Sequence, residues 1–587
     1  MDFRLSALAP VLLVTAACAQ VPQKPATPPK PAAPAQAAAP ALHPAVPVEA
    51  KPASPALPKQ ELTSQILYEL LLGEIAGQRG HLTLASDAYL DLAKRTRDPR
   101  IAQRATEVAL YSRLPQQALE AAKLWLDLAP DSEPARQTVA VLLVSAGKLT
   151  EARPYLEKLL AAEGGNPGMA FLRLNGLLAK QQDKKAVLEL VTGLAKSYGQ
   201  LPEAHFAVAQ AAWAAGRMDL ARSESAEAMK LRPDWEMGAL FRGALLQQTS
   251  VVTALAYYRD FLQRFPAAKE VRLGYARLLV NDKQFAAARE QFRQVLQSAP
   301  DSPEVNVAVG LLSMQLKDYD AAEDYLKRAL ALGYKDPDVV RLYLGQLNDE
   351  RKRFPQALEW YGSIGPGPVY FSAQVRYAAV LAGEGKLAEG RKHLHQIVAT
   401  SNQQRVQLIQ AEAQLLREAH AYQEAYDVLS RALDKLPNQP DLLYDRAMAA
   451  EKINRLDVAE QDLRKLIQLK PYHAQAYNAL GYTLADRTTR YKEALELISK
   501  ALELAPGDPF IMDSMGWVQY RMGNYDKAVD FLKRAYAGRP DPEIAAHLGE
   551  VLWAQGKRDE AKKVWQDSLK ENPDSEALLT VIKKFGQ

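Results

Sequence analysis

The chain is 587 residues long, with one cysteine and 73 basic against 69 acidic side chains, a formal net charge of +4. A single cysteine excludes an intrachain disulfide framework and any zinc site built on cysteines. Most of the surplus positive charge sits between residues 19 and 60, as Lys24, Lys30, Lys51 and Lys59 against Glu49, which leaves a nearly neutral body and argues against nucleic acid as a partner.

Residues 5–17, LSALAPVLLVTAA, form a short apolar run after Arg4. It is too short to cross about 30 Å of hydrocarbon as a mature helix and predicts a secretory signal peptide over residues 1–17. Thr15-Ala16-Ala17-Cys18 resembles the lipobox of bacterial lipoproteins, which implies a diacylglyceryl group on the Cys18 thiol and Cys18 as the mature N-terminus. The absence of Asp at position 19 resembles the outer-membrane sorting pattern. Cleavage after Ala19 is the alternative, because Ala17-Cys18-Ala19 fits A-x-A, and it would release a soluble periplasmic protein.

Residues 19–60 contain 12 prolines and 13 alanines. Such a segment cannot bury enough apolar surface to offset its ordering entropy, so residues 18–60 are expected to be a lipidated N-terminus and a disordered, Pro/Ala-rich tether. With a polyproline II bias its reach is on the order of 130 Å.

From residue 61 to 587 one period dominates. Gly516, Ala528, Ala535 and Pro540 recur as Gly549, Ala561, Ser568 and Pro573, and earlier as Ala413, Ala425, Ala432 and Pro437. Gly73 and Gly549 are the first and last of these small marks, and the spacing between them corresponds to about 15 repeats of about 34 residues. Small residues at the marks are expected where two antiparallel helices of a repeat, and the first helix of the next, approach closely. Gly80, Gly147, Gly216, Gly385, Gly523 and Gly556 suit left-handed turns between the helices. Prolines such as Pro130, Pro233, Pro300, Pro437 and Pro573 close second helices, and the Asp or Asn after each is expected to cap the next helix. Pro303 and Pro542 suit the first turn of a helix.

This pattern resembles the tetratricopeptide repeat. The resemblance implies an all-α, right-handed superhelical solenoid of about 15 helix pairs with one continuous core and a long concave face. Gly164-Gly165-Asn166-Pro167-Gly168 and residues 362–368 (GSIGPGP) place helix breakers where second helices should end, and predict irregular joints.

Catalysis needs convergent polar groups, and no motif supplies them. No histidine sits in H-E-x-x-H, and neither G-x-x-x-x-G-K-[ST] nor G-x-S-x-G occurs. His393 and His395 fall on different sides of a helix and are expected on a solvated face. The expectation is a protein that is not an enzyme, with no catalytic residues, metal or cofactor.

A binding surface is easier to argue. Phe510, Asp513, Trp517 and Tyr520, spaced 3, 4 and 3, share one stripe of a first helix. Equivalent positions in neighbouring repeats carry Tyr444 and Met448, then Asn478 and Tyr482, then Glu543, Glu550 and Trp553. Together they predict an aromatic, mildly acidic strip on the C-terminal concave face, suited to an extended peptide or a helix. Glu203, Phe206, Gln210, Glu304, Val307 and Leu311 predict a less aromatic lining in the earlier repeats.

The order of lipobox, Pro/Ala tether and repeat solenoid is similar to that of outer-membrane lipoproteins of Gram-negative bacteria. LYELLLGEIAGQRG (67–80) and AYLDLAKRTRDPRIAQRATEVA (88–109) resemble the opening of the lipoprotein adaptor of the periplasmic carboxyl-terminal processing protease. That resemblance implies a lipid-anchored protein of the outer membrane facing the periplasm, a scaffold that couples the protease to peptidoglycan hydrolases. The alternative is a structural assembly factor, pilotin-like or an export-complex component, for an envelope machine.

Overall fold

The computed structural model describes residue 58 and residues 60–162 and 166–585. The expected signal peptide, Cys18 and the tether as far as residue 57 lie outside these residues, as do Gly164 and Gly165 of the first expected joint. Among the described residues the regular elements are 31 α-helices and one 3-10 turn, with no strand. They follow one another as fifteen successive helix pairs, from Ser64–Gln78 with Leu82–Thr96 to Pro542–Ala554 with Arg558–Glu571. Fourteen of these pack closely within the pair, whereas Pro167–Leu178 and Lys184–Ala195 both pack on Pro202–Ala214 rather than on each other, and the helix Glu576–Phe585 packs on the last pair. The chain divides between Leu332 and Gly333 into two compact units, eight pairs in the first and seven pairs with the terminal helix in the second.

The glycine marks show why the pairs close as they do. A Cβ added at Gly73 would lie 2.8 Å from Tyr89 Cε2, at Gly310 2.8 Å from Leu326 Cγ, and at Gly516 2.5 Å from Leu532 Cγ. At Gly549 it would fall within the Trp565 indole. In each case the large side chain of the second helix follows its glycine by sixteen positions, so it meets a bare stretch of the first helix. The second and third marks are equally enclosed: Ala528, Ala535 and Ala561 are fully buried. Leu480, Ile498, Leu548 and Leu552 fill the space between them.

Most of the turns within the pairs place one residue in the left-handed conformation. Gly523 (φ 81°) and Gly556 (φ 85°) take the left-handed conformation that only glycine adopts without strain. Lys317 and Asn454 hold the same turn at φ 59° and 62°.

Between repeats the expected capping shifts by one residue. Ser132, Trp235, Ser302 and Gln439 occupy the N-cap positions, not the Asp or Asn before them. The Ser132 amide donates to Ala129 O (3.0 Å), which makes Pro130-Asp131 the two central residues of a β-turn, with proline at its favoured position. Pro303 and Pro542 do open helices.

Residues 362–368 lie largely outside regular helix. They cut the helix Phe354–Gly362 to nine residues, and Ile364 plugs the gap with 3% of its surface exposed. At the other expected joint Asn166 accepts from Met169 N (3.2 Å) and Pro167 opens the next helix. A further irregular stretch, residues 397–401, precedes the long helix Asn402–Glu418.

The second unit also contains a buried ion pair, in which Arg446 grips Asp462 through Nε–Oδ2 (2.7 Å) and Nη2–Oδ1 (2.8 Å). Asp462 is 2% exposed. Asp462→Ala strands the guanidinium and should destabilise the second unit by about 3 kcal/mol. Gly549→Ala should cost about 1–3 kcal/mol by overpacking Trp565. Both are read as lower urea midpoints of the full chain, and midpoints equal to wild type would contradict this account of the core.

Candidate protein-binding strip on the first helices

The helices Ala474–Arg487, Pro509–Arg521 and Pro542–Ala554 are the first helices of three successive repeats and pack side by side. They bring Tyr482, Asp513 and Trp517 around His547. The His547 Nδ1 lies 3.0 Å from each Asp513 carboxylate oxygen, and its ring stacks on Trp517 with centroids 4.3 Å apart at 27°. Its Nε2 is 3.4 Å from the Tyr482 hydroxyl. Trp517 Nε1 donates to Asp486 Oδ1 at 3.2 Å.

Burial alone pushes the His547 imidazole down, but the charge and hydrogen bond of Asp513, helped by Glu543 and Glu550, outweigh it and hold the pKa above its ordinary 6.5. In the protonated ring Nδ1–H donates to Asp513 and Nε2–H can donate to the Tyr482 oxygen. Burial raises the Tyr482 phenol, and Asp486, Asp513, Glu543 and Glu451 raise it further.

The remaining residues of the expected strip are placed less uniformly. Tyr444 is half-buried, its ring 5.8 Å from His473, and burial pushes its phenol up to about 12. Asn478 is half-buried, and its Oδ1 has no hydrogen-bond partner. Phe510 lies under the Arg539 guanidinium at 4.9 Å. Tyr520 sits 5.1 Å from the Trp517 ring and stays half-exposed. Asp513 and Trp517 are only 7% exposed, so the stripe splits into a buried pair and two accessible rings, Phe510 and Tyr520. Trp553 is not brought to the strip: it packs on Trp565 (5.9 Å) and Phe585 (5.8 Å) in the terminal core.

The acidic character expected of the strip is largely compensated. Glu451 lies 3.9 Å from Arg487, Asp486 lies 3.6 Å from Arg521, and Glu550 pairs with Lys584 at 2.9 Å. What the strip presents is rings and hydrogen-bonding edges more than net charge.

His547 is the residue that sequence reasoning missed. Counting back from Gly549, the place of Asp513 belongs to Ala546, whereas the contact runs one residue off, to His547. A tolerance of one position in the register would have found it. The pair His393 and His395 also differs from expectation. His395 is exposed and meets Glu412 (2.8 Å), but His393 is half-buried, stacked on Tyr377 at 4.6 Å and bonded to Gln374. Among the described residues no three His, Cys, Asp or Glu side chains converge as a metal site, and no helix is long and apolar enough to cross a membrane.

Three models of the tetratricopeptide repeat match the sequence, at residues 245–312 and 519–584, at 472–541, and at 309–368 and 410–474. The TPR repeat-containing protein PA4667 of Pseudomonas aeruginosa is 40% identical over 511 residues, 86% of this chain and 85% of its own. The chain is a tetratricopeptide repeat protein. A second relative, the small glutamine-rich tetratricopeptide repeat-containing protein 2 of Mycosarcoma maydis, is 28% identical over 123 residues, 20% of this chain and 32% of its own. Among solved structures, the APC/C hetero-tetramer Cut9-Hcn1 aligns with 89% of this chain and 96% of its own at 15% identity and a TM-score of 0.31. TTC0263 of Thermus thermophilus aligns with 29% of this chain and 92% of its own at 25% identity and a TM-score of 0.27.

In this repeat protein the His547–Asp513 pair makes the strip sensitive to pH. A raised folded-state pKa contributes stability that is fully present below the unfolded value near 6.5 and is lost as pH rises through the folded value. Thermal melts of wild type and His547→Gln between pH 5.5 and 9 should therefore show their largest gap at the acid end, closing with rising pH. A gap that is constant or widens would contradict the pairing.

Proposed function

We propose that this tetratricopeptide repeat protein is a non-catalytic scaffold that binds other proteins on the face formed by its first helices. The observation that carries the reading is that each of the two compact units is built of successive helix pairs, whose first helices offer rows of side chains for contact with another polypeptide. In the finer form of the proposal the scaffold is lipid-anchored through Cys18 at the outer membrane, faces the periplasm and couples a carboxyl-terminal processing protease to peptidoglycan hydrolases. The lipobox-like Thr15-Ala16-Ala17-Cys18, the Pro/Ala run behind it and the opening repeats at 67–109 support that form. Its mechanism is effective concentration: enzyme and substrate held on one tethered surface meet far more often than two free molecules.

Phe510 and Tyr520, with Tyr482 and Asn478, are the side chains of the strip best placed to touch a partner. Trp517 is a poor probe of binding, because its indole is buried in the fold.

Affinity purification of the full chain from detergent-solubilised envelope should recover a processing protease together with cell-wall hydrolases. Recovery of pilus or export subunits without a protease would overturn the coupling proposal. A double Phe510→Ala, Tyr520→Ala variant should lose partner recovery by about tenfold or more, the size of one or two interface hot spots, at unchanged helicity. For the anchor, Cys18→Ser should move the protein from the membrane to the soluble fraction, and an unchanged distribution would count against lipidation.

A further inference from the structure

The first unit holds a groove that the strip does not share. It lies across three successive first helices, Pro167–Leu178, Pro202–Ala214 and Glu236–Gln247, and encloses about 570 Å³, within the range of sites that take a substantial apolar guest. Phe206, Trp213 and Phe241 form a continuous aromatic wall: Phe241 meets Phe206 edge-on at 5.2 Å and Trp213 edge-on at 5.4 Å. Trp213 is 39% exposed and Met237 48% exposed, so the outer end of the wall and its rim face outward, while Phe206 backs the wall at 3% exposed. The two polar side chains on the floor satisfy each other, with Asn175 Nδ2 donating to Gln210 Oε1 at 2.8 Å. The interior therefore asks for carbon from whatever enters.

Gly176 gives a second, independent indication. It sits inside the helix Pro167–Leu178, where glycine is destabilising relative to alanine. Gly73, Gly516 and Gly549 compensate for that cost with a large side chain packed against them. At Gly176 an added Cβ would meet nothing within 4 Å. No packing in the fold calls for the missing side chain; Gly176 is exposed, and its effect is to leave that side of the groove open.

Charge at one end of the groove completes the picture. Lys184 is the only ionisable residue in the lining, and its ammonium is held at the turn by Ala179 O at 2.8 Å. Lys180 and Lys185 belong to the same turn, and Arg217 to the corresponding turn of the next repeat. The neighbouring carboxylates are already engaged, Asp183 in capping Ala186 N (3.0 Å) and Asp219 with Arg222 (3.4 Å).

From these observations we propose that the groove is a docking site, separate from the C-terminal strip, for an amphipathic helix of a partner protein whose apolar face is bordered by acidic residues at the end lying over Lys184. The apolar face enters between Gly176 and the Phe206–Trp213–Phe241 wall, and the acidic end meets the lysine turn.

Two labelled synthetic helices of about 18 residues test this. They share one Leu/Phe face, and one is bordered by Glu and the other by Lys at the same end. Fluorescence anisotropy with the full chain should show the Glu-bordered peptide binding at least tenfold more tightly, with a shift in tryptophan emission that Trp213→Phe abolishes. Gly176→Phe should fill the groove and weaken binding at least tenfold without lowering the melting temperature. Gly176→Ala should raise that temperature. Lys184→Glu should reverse the preference between the peptides, and Met237→Glu, at an exposed rim position, should weaken the Glu-bordered peptide without depending on how the glycine variants fold. Equal binding of the two peptides, or wild-type affinity in both Gly176→Phe and Met237→Glu, overturns the proposal. So does sedimentation showing that the wild type self-associates and Gly176→Phe does not, because a second copy would then be the occupant.

Discussion

Two antiparallel helices can approach closely only where one of them carries almost no side chain, and the architecture of this protein depends on that constraint. The bare position is the mark at Gly73, Gly310, Gly516 and Gly549, and the side chain that needs it stands on the second helix at Tyr89, Leu326, Leu532 and Trp565. Because the pair is separated by about sixteen residues, each repeat sets its own internal spacing with no reference to the rest of the chain. Neighbouring repeats then stack on the faces the pair leaves uncovered, and stability accumulates repeat by repeat. Near-uniform local geometry is what allows a chain of this length, with its single cysteine, to do without an intrachain disulfide as a structural staple.

That locality explains how much of the fold was legible. The number of pairs, the enclosed Ala528 and Ala561, and the left-handed turns at Gly523 and Gly556 all follow from residues within one period. The places where expectation and structure part are those where two local rules compete. Asp131 after Pro130 satisfies the preference for an N-cap, yet proline at the preceding position favours a β-turn with Asp131 inside it, and the turn prevails and passes the cap to Ser132. The same competition moves the cap to Ser302 and Gln439. The irregular residues 397–401 carry no comparable cluster of breakers, and the sequence pattern passes over them.

The strip was legible as a row on one helix but not as a surface. Spacings of 3, 4 and 3 place Phe510, Asp513, Trp517 and Tyr520 together; which of them remain exposed depends on what the next first helix lays over the row. His547 decides it, and it stands two positions before its mark, outside the rows that in-register counting compares. Phe241 stands two positions before Gly243 and does the same in the first unit, reaching back to Phe206 and Trp213 of the preceding repeat. The earlier repeats were expected to have the less aromatic lining for this reason: their rings belong to different rows, and only the diagonal offset between successive helices gathers them.

The two diagonal contacts have opposite consequences. At His547 the reaching side chain is polar, and the site answers it: Asp513 takes Nδ1, Trp517 covers the ring face and Tyr482 stands at Nε2. The result is a closed, charge-compensated knot in which only the outer rings have surface to offer. At Phe241 the reaching side chain is a hydrocarbon ring that can be satisfied only by area. Phe206 and Trp213 cover part of it, and the bare side at Gly176 withholds the side chain that would cover more. Burial of apolar surface contributes roughly 25 cal/mol per Å² removed from water, and that contribution stays unrealised until something enters the groove. Repeats built on one packing rule can thus differ in what they ask of a partner through a single residue two positions before the mark: His547 closes its face on itself, and Phe241 leaves its face open.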